Sequence, residues 1–497
     1  MSNRETNDSG LTDGSCHAAR AEGCGRIHPG DIGPDGRDYR SSLTARKGRK
    51  IDPTPFDSEM TPPRQNLFLL PFVHLICWFN TVGYGLKIRK ENMQGIKPPY
   101  LLLGSHHSFM DFFVTPLAVW PHRANYISEL EGFEAFGEWI YRQVGCLGTR
   151  KFISDLPLVR NIKKVVDRGD IIVIYPEARY SNVGTNSRLT LSLAKLARLL
   201  RVPVVTLVMN GNHLQSPIWN LTPRKEVRLR ATLKCILTPE QTAAMSAQEI
   251  LAVMQRELTY DDYKYQRDTK LRITFPRRAE GLHKPLYMCR ECGAEFCMES
   301  EGAVLRCRNC GAAWEMDEYG TLHRVAGTPW RADKPRTSSG VGDKAGTEQP
   351  ADTAHPATSA GALPASLFIP DYYEWERQQV HAEIERGGYH FDQKVRVEAL
   401  PNAKNFIALG EGRLVHEEKG FSLTFRGYRE QEEKTLFFES KASPSIHTEY
   451  DYRGEGQCIT LSTPACTYFL FPLEEGFNVT KIQFAAEYFY WKSQDGA

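Results

Sequence analysis

Between Tyr100 and Val208, short apolar runs (YLLLGS, ANYIS, DIIVIYP and VPVVTLVM) alternate with longer helical patterns such as Leu189–Leu200. A strand that reads as one continuous apolar run is covered on both faces, as happens when helices pack against a parallel or mixed sheet. This stretch therefore predicts an α/β domain, a mixed sheet covered by helices. The helical pattern Ser246–Tyr260 and the polar tail DDYKYQRD close it.

The chain has 497 residues, 41% hydrophobic and 25% charged, enough for two to four domains. Residues 1–60 lack apolar periodicity and read as a disordered leader. The opening residues also lack the apolar core of a secretory signal, and no uniformly apolar stretch reaches the length of a membrane span. We expect a protein on the cytoplasmic face of a membrane, monotopic or peripheral. The apolar run Leu67–Phe79 is short and contains Pro71 and His74. It reads as an interfacial or re-entrant segment, or as a buried helix. Trp78, Tyr84, Lys87, Arg89 and Lys90 at its end favour the interface.

A domain of residues 61–280 follows, then a small cysteine unit (281–326), a Gly/Pro/Ser/Thr/Ala-rich flexible linker (327–365) and a β-rich unit (366–497). The last contains KVRVEAL, NFIALG, FSLTFRG, KTLFFES, CITLS and YFLFPL, which predict a C-terminal all-β domain. Its final segment VTKIQFAAEYFYWK fits either a strand or a closing helix. The formal net charge of +2 conceals an asymmetry. Residues 61–280 carry 30 Lys and Arg against 18 Asp and Glu, whereas 281–497 carry 23 against 32. A basic domain suits an anionic partner or is a solvated face.

The heptapeptide SHHSFMD, Ser105–Asp111, directly follows the strand-like YLLLG. If Ser108 caps a helix and Asp111 occupies its third position, His106 lies outside the helix and can fold back over the first turn. Asp111 then accepts from one imidazole nitrogen and leaves the other to take a proton, the logic of a base and its orienter. An ordinary helix start is the plain alternative. No G-x-S-x-G elbow makes Ser105 or Ser108 a nucleophile.

Three further blocks occur in order: GCLGTRK (Gly145–Lys151), Tyr175-Pro176-Glu177-Ala178-Arg179-Tyr180-Ser181, and Val202-Pro203-Val204-Val205-Thr206-Leu207. With SHHSFMD they resemble the four motifs of the lysophosphatidic acid acyltransferase family, over roughly residues 65–270. The first block has Ser105 where the family has Asn. The third has Ala178 for Gly, with its Arg one position early. The resemblance implies that His106 is the general base on a lysophospholipid hydroxyl, oriented by Asp111. Arg150, Glu177 and Arg179 would bind the acceptor, the arginines its phosphate, and Glu177 a hydroxyl or an arginine. The donor would be acyl-CoA or acyl-carrier protein, with no cofactor for catalysis. 1-Acylglycerol 3-phosphate is the leading acceptor. Another lysolipid, an amine acceptor or a non-catalytic lipid- or protein-binding scaffold are the alternatives.

Cys289, Cys292, Cys307 and Cys310 form two C-x-x-C-G knuckles with fourteen residues between them. Two such turns point four thiolates at one ion, and the segment resembles a zinc ribbon holding structural Zn2+. The unit is not notably basic, so a structural role or a protein partner, through the ribbon or the β domain, is expected rather than nucleic acid.

Overall fold

The computed structural model describes residues 52–325 and 366–495 apart from 428, 429 and 431. The expected linker 327–365 and most of the expected leader lie outside the described residues. Seven strands build the first sheet: β1 (Lys87–Glu91), β2 (Leu101–Gly104), β3 (Ala124–Glu129), β4 (Cys146–Thr149), β5 (Ile171–Ile174), β6 (Val204–Asn210) and β7 (Arg230–Leu237). Their order is β1-β7-β6-β2-β5-β3-β4, and only the β6–β7 pairing is antiparallel. The mixed sheet predicted from the apolar runs is present.

Strand β2 explains why both faces need cover. Leu102 pairs in register with Val173 and Val205 and packs with Val114 and Ala118 of the helix Asp111–Val119. Its neighbours Leu101 and Leu103 point the other way. They meet Ile162 and Val165 of Leu156–Asp167, Ala194 and Ala197 of Leu191–Leu200, and Ile250 of Ala247–Glu257. Each such buried leucine contributes about 2 kcal/mol. A one-residue slip would put every one of them on the wrong face.

The run Leu67–Phe79 becomes the helix Leu70–Val82, which packs against Asp111–Val119. It buries Leu70, Cys77 and Thr81 but exposes Phe68, just before it, and Phe72, Ile76 and Phe79. Among the described residues, no helix is long and apolar enough to cross a membrane.

Residues 52–60, expected within the disordered leader, are ordered. Asn402 donates to the carbonyls of Asp52 and Thr54, and Asn161 donates to those of Ser58 and Met60. This short strap lacks a core of its own and is fixed through its backbone by side-chain amides distant in sequence. Asp155 and Asp170 likewise have structural work. Asp155 caps Leu156–Asp167 by accepting from the Leu158 amide at 2.8 Å. Asp170 is buried and paired with Arg64 and Arg168.

The cysteine unit forms a second, antiparallel sheet of β8 (Met298–Glu301), β9 (Val304–Cys307), β10 (Ala313–Met316), β11 (Thr321–Val325) and β12 (Ser366–Phe368). Its last strand comes from beyond the linker. The third sheet is also wholly antiparallel and comprises β13 (Phe391–Leu400), β14 (Ile407–Glu417), β15 (Gly420–Arg426), β16 (Glu433–Glu439), β17 (His447–Glu449), β18 (Cys458–Ser462) and β19 (Thr467–Pro472). The β-rich reading holds for the sheet, but the unit is not all-β. Two seventeen-residue helices, Ile369–Glu385 and Val479–Asp495, belong to it. Tyr373 meets Phe484 between them at 4.7 Å. The closing segment is thus helical, because Val479, Ile482, Ala486 and Phe489 recur at helical spacing on a buried stripe.

Candidate functional site

The first sheet's parallel strands β2, β5 and β6 end on one side, where open α/β sheets place their ligands. The segments leaving them are Ser105–Asp111, Tyr175–Ser181 and Gly211–His213. The helix expected to be capped by Ser108 begins only at Asp111. Ser108 Oγ instead donates to the Asn212 carbonyl at 2.9 Å.

Asp111 is completely buried, and its carboxylate folds back over the turn. Its Oδ2 accepts from His106 Nδ1 at 3.0 Å and from the amides of His107 and Ser108 at 2.6 and 3.1 Å. Its Oδ1 accepts from Asn212 Nδ2 at 2.7 Å. An ionised carboxylate only accepts, so the proton of His106 is assigned to Nδ1 and the lone pair to Nε2. The imidazole stacks on Tyr175 at 4.4 Å and lies 4.6 Å from the Tyr180 ring. Tyr175 is itself pinned through its hydroxyl to Thr115 Oγ1 at 2.7 Å. Gly104 is required beneath it, since a Cβ there would sit 2.7 Å from the Tyr175 ring. Burial pushes the His106 pKa below its ordinary value, against the opposing pull of Asp111. A neutral imidazole at neutral pH is the form a general base needs.

His107 makes a second, fully buried pair. Its Nε2 meets Ser105 Oγ at 2.8 Å and its Nδ1 lies 3.5 Å from Asp262 Oδ2. Asp262 also accepts from the amides of Gly211 and His213. Burial opposes the charge of His107, but Asp262 outweighs it and raises the pKa. This pair ties the histidine loop to the end of β6.

The third block sits beside this loop, with Ser181 N donating to the His106 carbonyl. Glu177 accepts from the Ser187 amide at 2.8 Å and from Tyr260 OH at 3.0 Å, and burial raises its pKa. Ala178 holds φ 56°, a left-handed turn that suits glycine better than alanine. Arg179 reaches Ser187 Oγ at 3.1 Å and Glu487 at 3.0 Å.

The structure thus joins His106 with Asp111 and brings Glu177 and Arg179 to the same residue, Ser187, but it takes Arg150 elsewhere. Arg150 donates to the carbonyls of Pro401, Pro464 and Ala465 at 2.6, 3.0 and 2.9 Å. These bonds hold the loops of the C-terminal sheet, and the structure does not bring Arg150 together with Glu177 and Arg179. Lys151 is the nearby cation whose charge acts on His106; it pairs with Glu129 at 2.6 Å and meets His447. Glu129, Glu131 and His447 cluster closely, and the Lys151 ammonium already supplies their cation. Asn212, Tyr175 and the His107–Asp262 pair were missed from sequence. Asn212 stands two residues beyond β6, and only the fold places it on Asp111.

The four ribbon cysteines also converge. Cys289 Sγ lies 3.7 Å from Cys310 Sγ, and Cys292 Sγ lies 3.8 Å from Cys307 Sγ. Zn–S bonds of ~2.3 Å in a tetrahedron place sulfurs ~3.8 Å apart, so these residues fit a zinc ion. Gly293 and Gly311 take φ 70° and 74° at the knuckles, and their amides donate back to the carbonyls of Cys289 and Cys307. Cys297 stands outside the group.

Residues 86–210 match the family model described as Acyltransferase. A crystal structure of the 1-acyl-sn-glycerophosphate (LPA) acyltransferase PlsC from Thermotoga maritima is similar to 38% of this chain and 77% of its own. It is 15% identical, with a TM-score of 0.33. No curated protein matches the chain.

The geometry fixes a titration. His106 should titrate below ~6.5, the ordinary histidine value. Asp111→Asn should lower it further, because the carboxylate is what favours the imidazolium. Histidine NMR titration of the full chain, assigned with His106→Gln, measures both. An upward shift in Asp111→Asn would show that the pair is not coupled as described.

Proposed function

We propose that the domain of residues 61–280 is an acyltransferase. It moves a fatty acyl group from acyl-CoA or acyl-carrier protein to the free hydroxyl of a lysophospholipid, with 1-acylglycerol 3-phosphate as acceptor and phosphatidic acid as product. The observation that carries this reading is the His106–Asp111 pair at the end of β2, inside the segment that matches the acyltransferase model.

In this reading Nε2 of His106 takes the acceptor's hydroxyl proton as the oxygen attacks the thioester carbonyl carbon. The tetrahedral intermediate collapses with cleavage of the C–S bond, and the proton on Nε2 passes to the departing thiolate. Asp111 stabilises the imidazolium between the two transfers and fixes its tautomer. Arg179 supplies the charge for the acceptor's phosphate, and Glu177 faces its polar oxygens or orients Arg179. A scaffold role is the second reading, favoured by one observation: the C-terminal unit already occupies Arg179 through Glu487.

Purified protein with labelled acyl-CoA or acyl-carrier protein and a panel of lysolipids separates the two. His106→Ala should cut transfer by about a hundred-fold or more while the protein stays folded. Wild-type rates in a folded His106→Ala protein would sink the mechanism.

The helix Leu70–Val82 is the proposed membrane contact. Phe68 is 87% exposed and Phe72 65%. Thirteen residues reach only about 20 Å, which suits lying in the interface rather than crossing it. The exposed Lys87, Arg89 and Lys90 on β1 would meet anionic headgroups. Phe72→Ser with Phe79→Ser should lower co-sedimentation with phosphatidylcholine–phosphatidylglycerol vesicles about ten-fold or more. Unchanged partition would remove this contact.

The ribbon is proposed to hold one structural Zn2+ on Cys289, Cys292, Cys307 and Cys310. Tyr372 and Glu376 of the helix Ile369–Glu385 bond to the backbone of Met288 and Arg290 beside the first knuckle. Metal loss should therefore loosen that helix as well as the ribbon. Chelation should release one zinc per chain and raise amide exchange in residues 281–325 and 369–385 together. A metal-free chain with both segments still protected would refute the assignment.

A further inference from the structure

A cavity of about 600 Å³ lies between the third block and the two C-terminal helices. Arg179, Ser187 and Arg188 line it from the acyltransferase side; Arg377, Glu487 and Trp491 line it from the other. Four cations, Arg179, Arg188, Arg377 and Lys492, line it against three carboxylates, Glu177, Glu374 and Glu487. Arg179 and Arg377 share the Glu487 carboxylate, and Arg377 has a second, half-exposed partner in Glu374. The Arg188 guanidinium lies 3.7 Å from the centre of the Trp491 ring and makes no ion pair among the described residues. Arg179 has a side chain only 6% exposed, yet its Nε has no hydrogen-bond partner. A buried charged donor left without an acceptor is costly, and a ligand that supplies one gains by it.

Glu487 is itself held as a bound anion would be. Its Oε1 accepts from Arg179 Nη2, Ser445 Oγ and Gln483 Nε2 at 3.0, 2.8 and 3.0 Å, and its Oε2 accepts from Arg377 Nη1. Two guanidiniums, a hydroxyl and an amide around one carboxylate are the donors that recognise a phosphoryl group. Burial disfavours the charge of Glu487, but Arg377 and Arg179 overcome it and hold the carboxyl at about 2. This internal anion is therefore present throughout the physiological range.

We propose that the cavity binds a phosphomonoester dianion, and that Glu487 is the internal anion holding Arg179 and Arg377 against which this ligand competes. The dianion belongs either to a free phosphorylated small molecule or to the headgroup of a lysophospholipid. The second source rests on the acyl-transfer reading above. Binding is read without acyl transfer, so a chain that binds the ligand and transfers nothing keeps this site and loses the enzymatic reading.

Isothermal titration of the full-length wild-type chain, Glu487→Gln and Arg188→Gln uses three probes: inorganic phosphate, glycerol 3-phosphate and a short-chain lysophosphatidate. Glu487→Gln keeps size and hydrogen bonding while removing the competing charge, and should bind at least ten-fold more tightly than wild type. Arg188→Gln, at the exposed rim, should bind severalfold more weakly. Binding of inorganic phosphate or glycerol 3-phosphate identifies the free phosphoryl source, and binding of lysophosphatidate alone identifies the lipid headgroup. Equal affinity in Glu487→Gln and wild type, or no binding by either folded protein, overturns the proposal. Should Glu487→Gln fail to fold by its melting curve, the wild type and Arg188→Gln decide. Weaker binding in Arg188→Gln supports the site, and equal or absent binding overturns it.

Discussion

Everything at the end of the first sheet depends on meeting the lone pairs of the buried Asp111 carboxylate. Moving an isolated carboxylate into the interior costs many kcal/mol unless its lone pairs are met. Here they are met by an imidazole, two backbone amides and one side-chain amide. These donors come from the turn after β2 and from the segment after β6, about a hundred residues later. The turn geometry, the His106 tautomer and the position of Asn212 are thus solutions to one electrostatic problem.

The same reasoning sets the boundary between the modules. The basic domain of residues 61–280 was expected to suit an anionic partner or to be a solvated face. Part of that charge is answered within the chain. Arg179 meets Glu487, and Arg150 spends its terminal donors on three carbonyls of the C-terminal sheet. The ribbon closes the arrangement from another side: Lys481 of the last helix pairs with both Glu295 of the ribbon and Glu383. Part of the charge asymmetry along the sequence is therefore an internal contact.

Local signals were legible where backbone period and residue chemistry agree. The apolar runs became β2, β3, β5 and β6, and the two C-x-x-C-G turns bring four sulfurs together, because both features are written within a few adjacent residues. His106 and Asp111 were legible as a pair, but not the way they pair. The capping rule placed the helix start at Ser108, whereas Asp111 spends its carboxylate on the turn and the helix starts there. Asn212, Asp262 and Glu487 were not legible, since each acts through a contact more than a hundred residues away in sequence. The first helix of the C-terminal unit was hidden for a related reason. Ile369–Glu385 buries Tyr372, Tyr373 and Glu376 together, a face too polar to read as an apolar stripe.

The apolar core constrains how any ligand reaches the site. One continuous cluster includes Val183 and Trp219 of the first domain, Tyr287 and Trp314 of the cysteine unit, and Tyr373 and Phe484 of the C-terminal helices. Domains separated by small polar interfaces move as rigid bodies by default, but a large apolar interface removes that freedom. Lifting the C-terminal unit away would expose several aromatic side chains, each at a cost of about 1.5–3 kcal/mol. Exchange of side-chain partners within the cavity requires no such exposure. Glu487 releasing Arg179 while retaining Arg377 loses one charge-assisted contact, which an incoming anion replaces directly. Access then runs through side chains at an intact interface, with the helix Val479–Asp495 as a wall of the site rather than a lid over it.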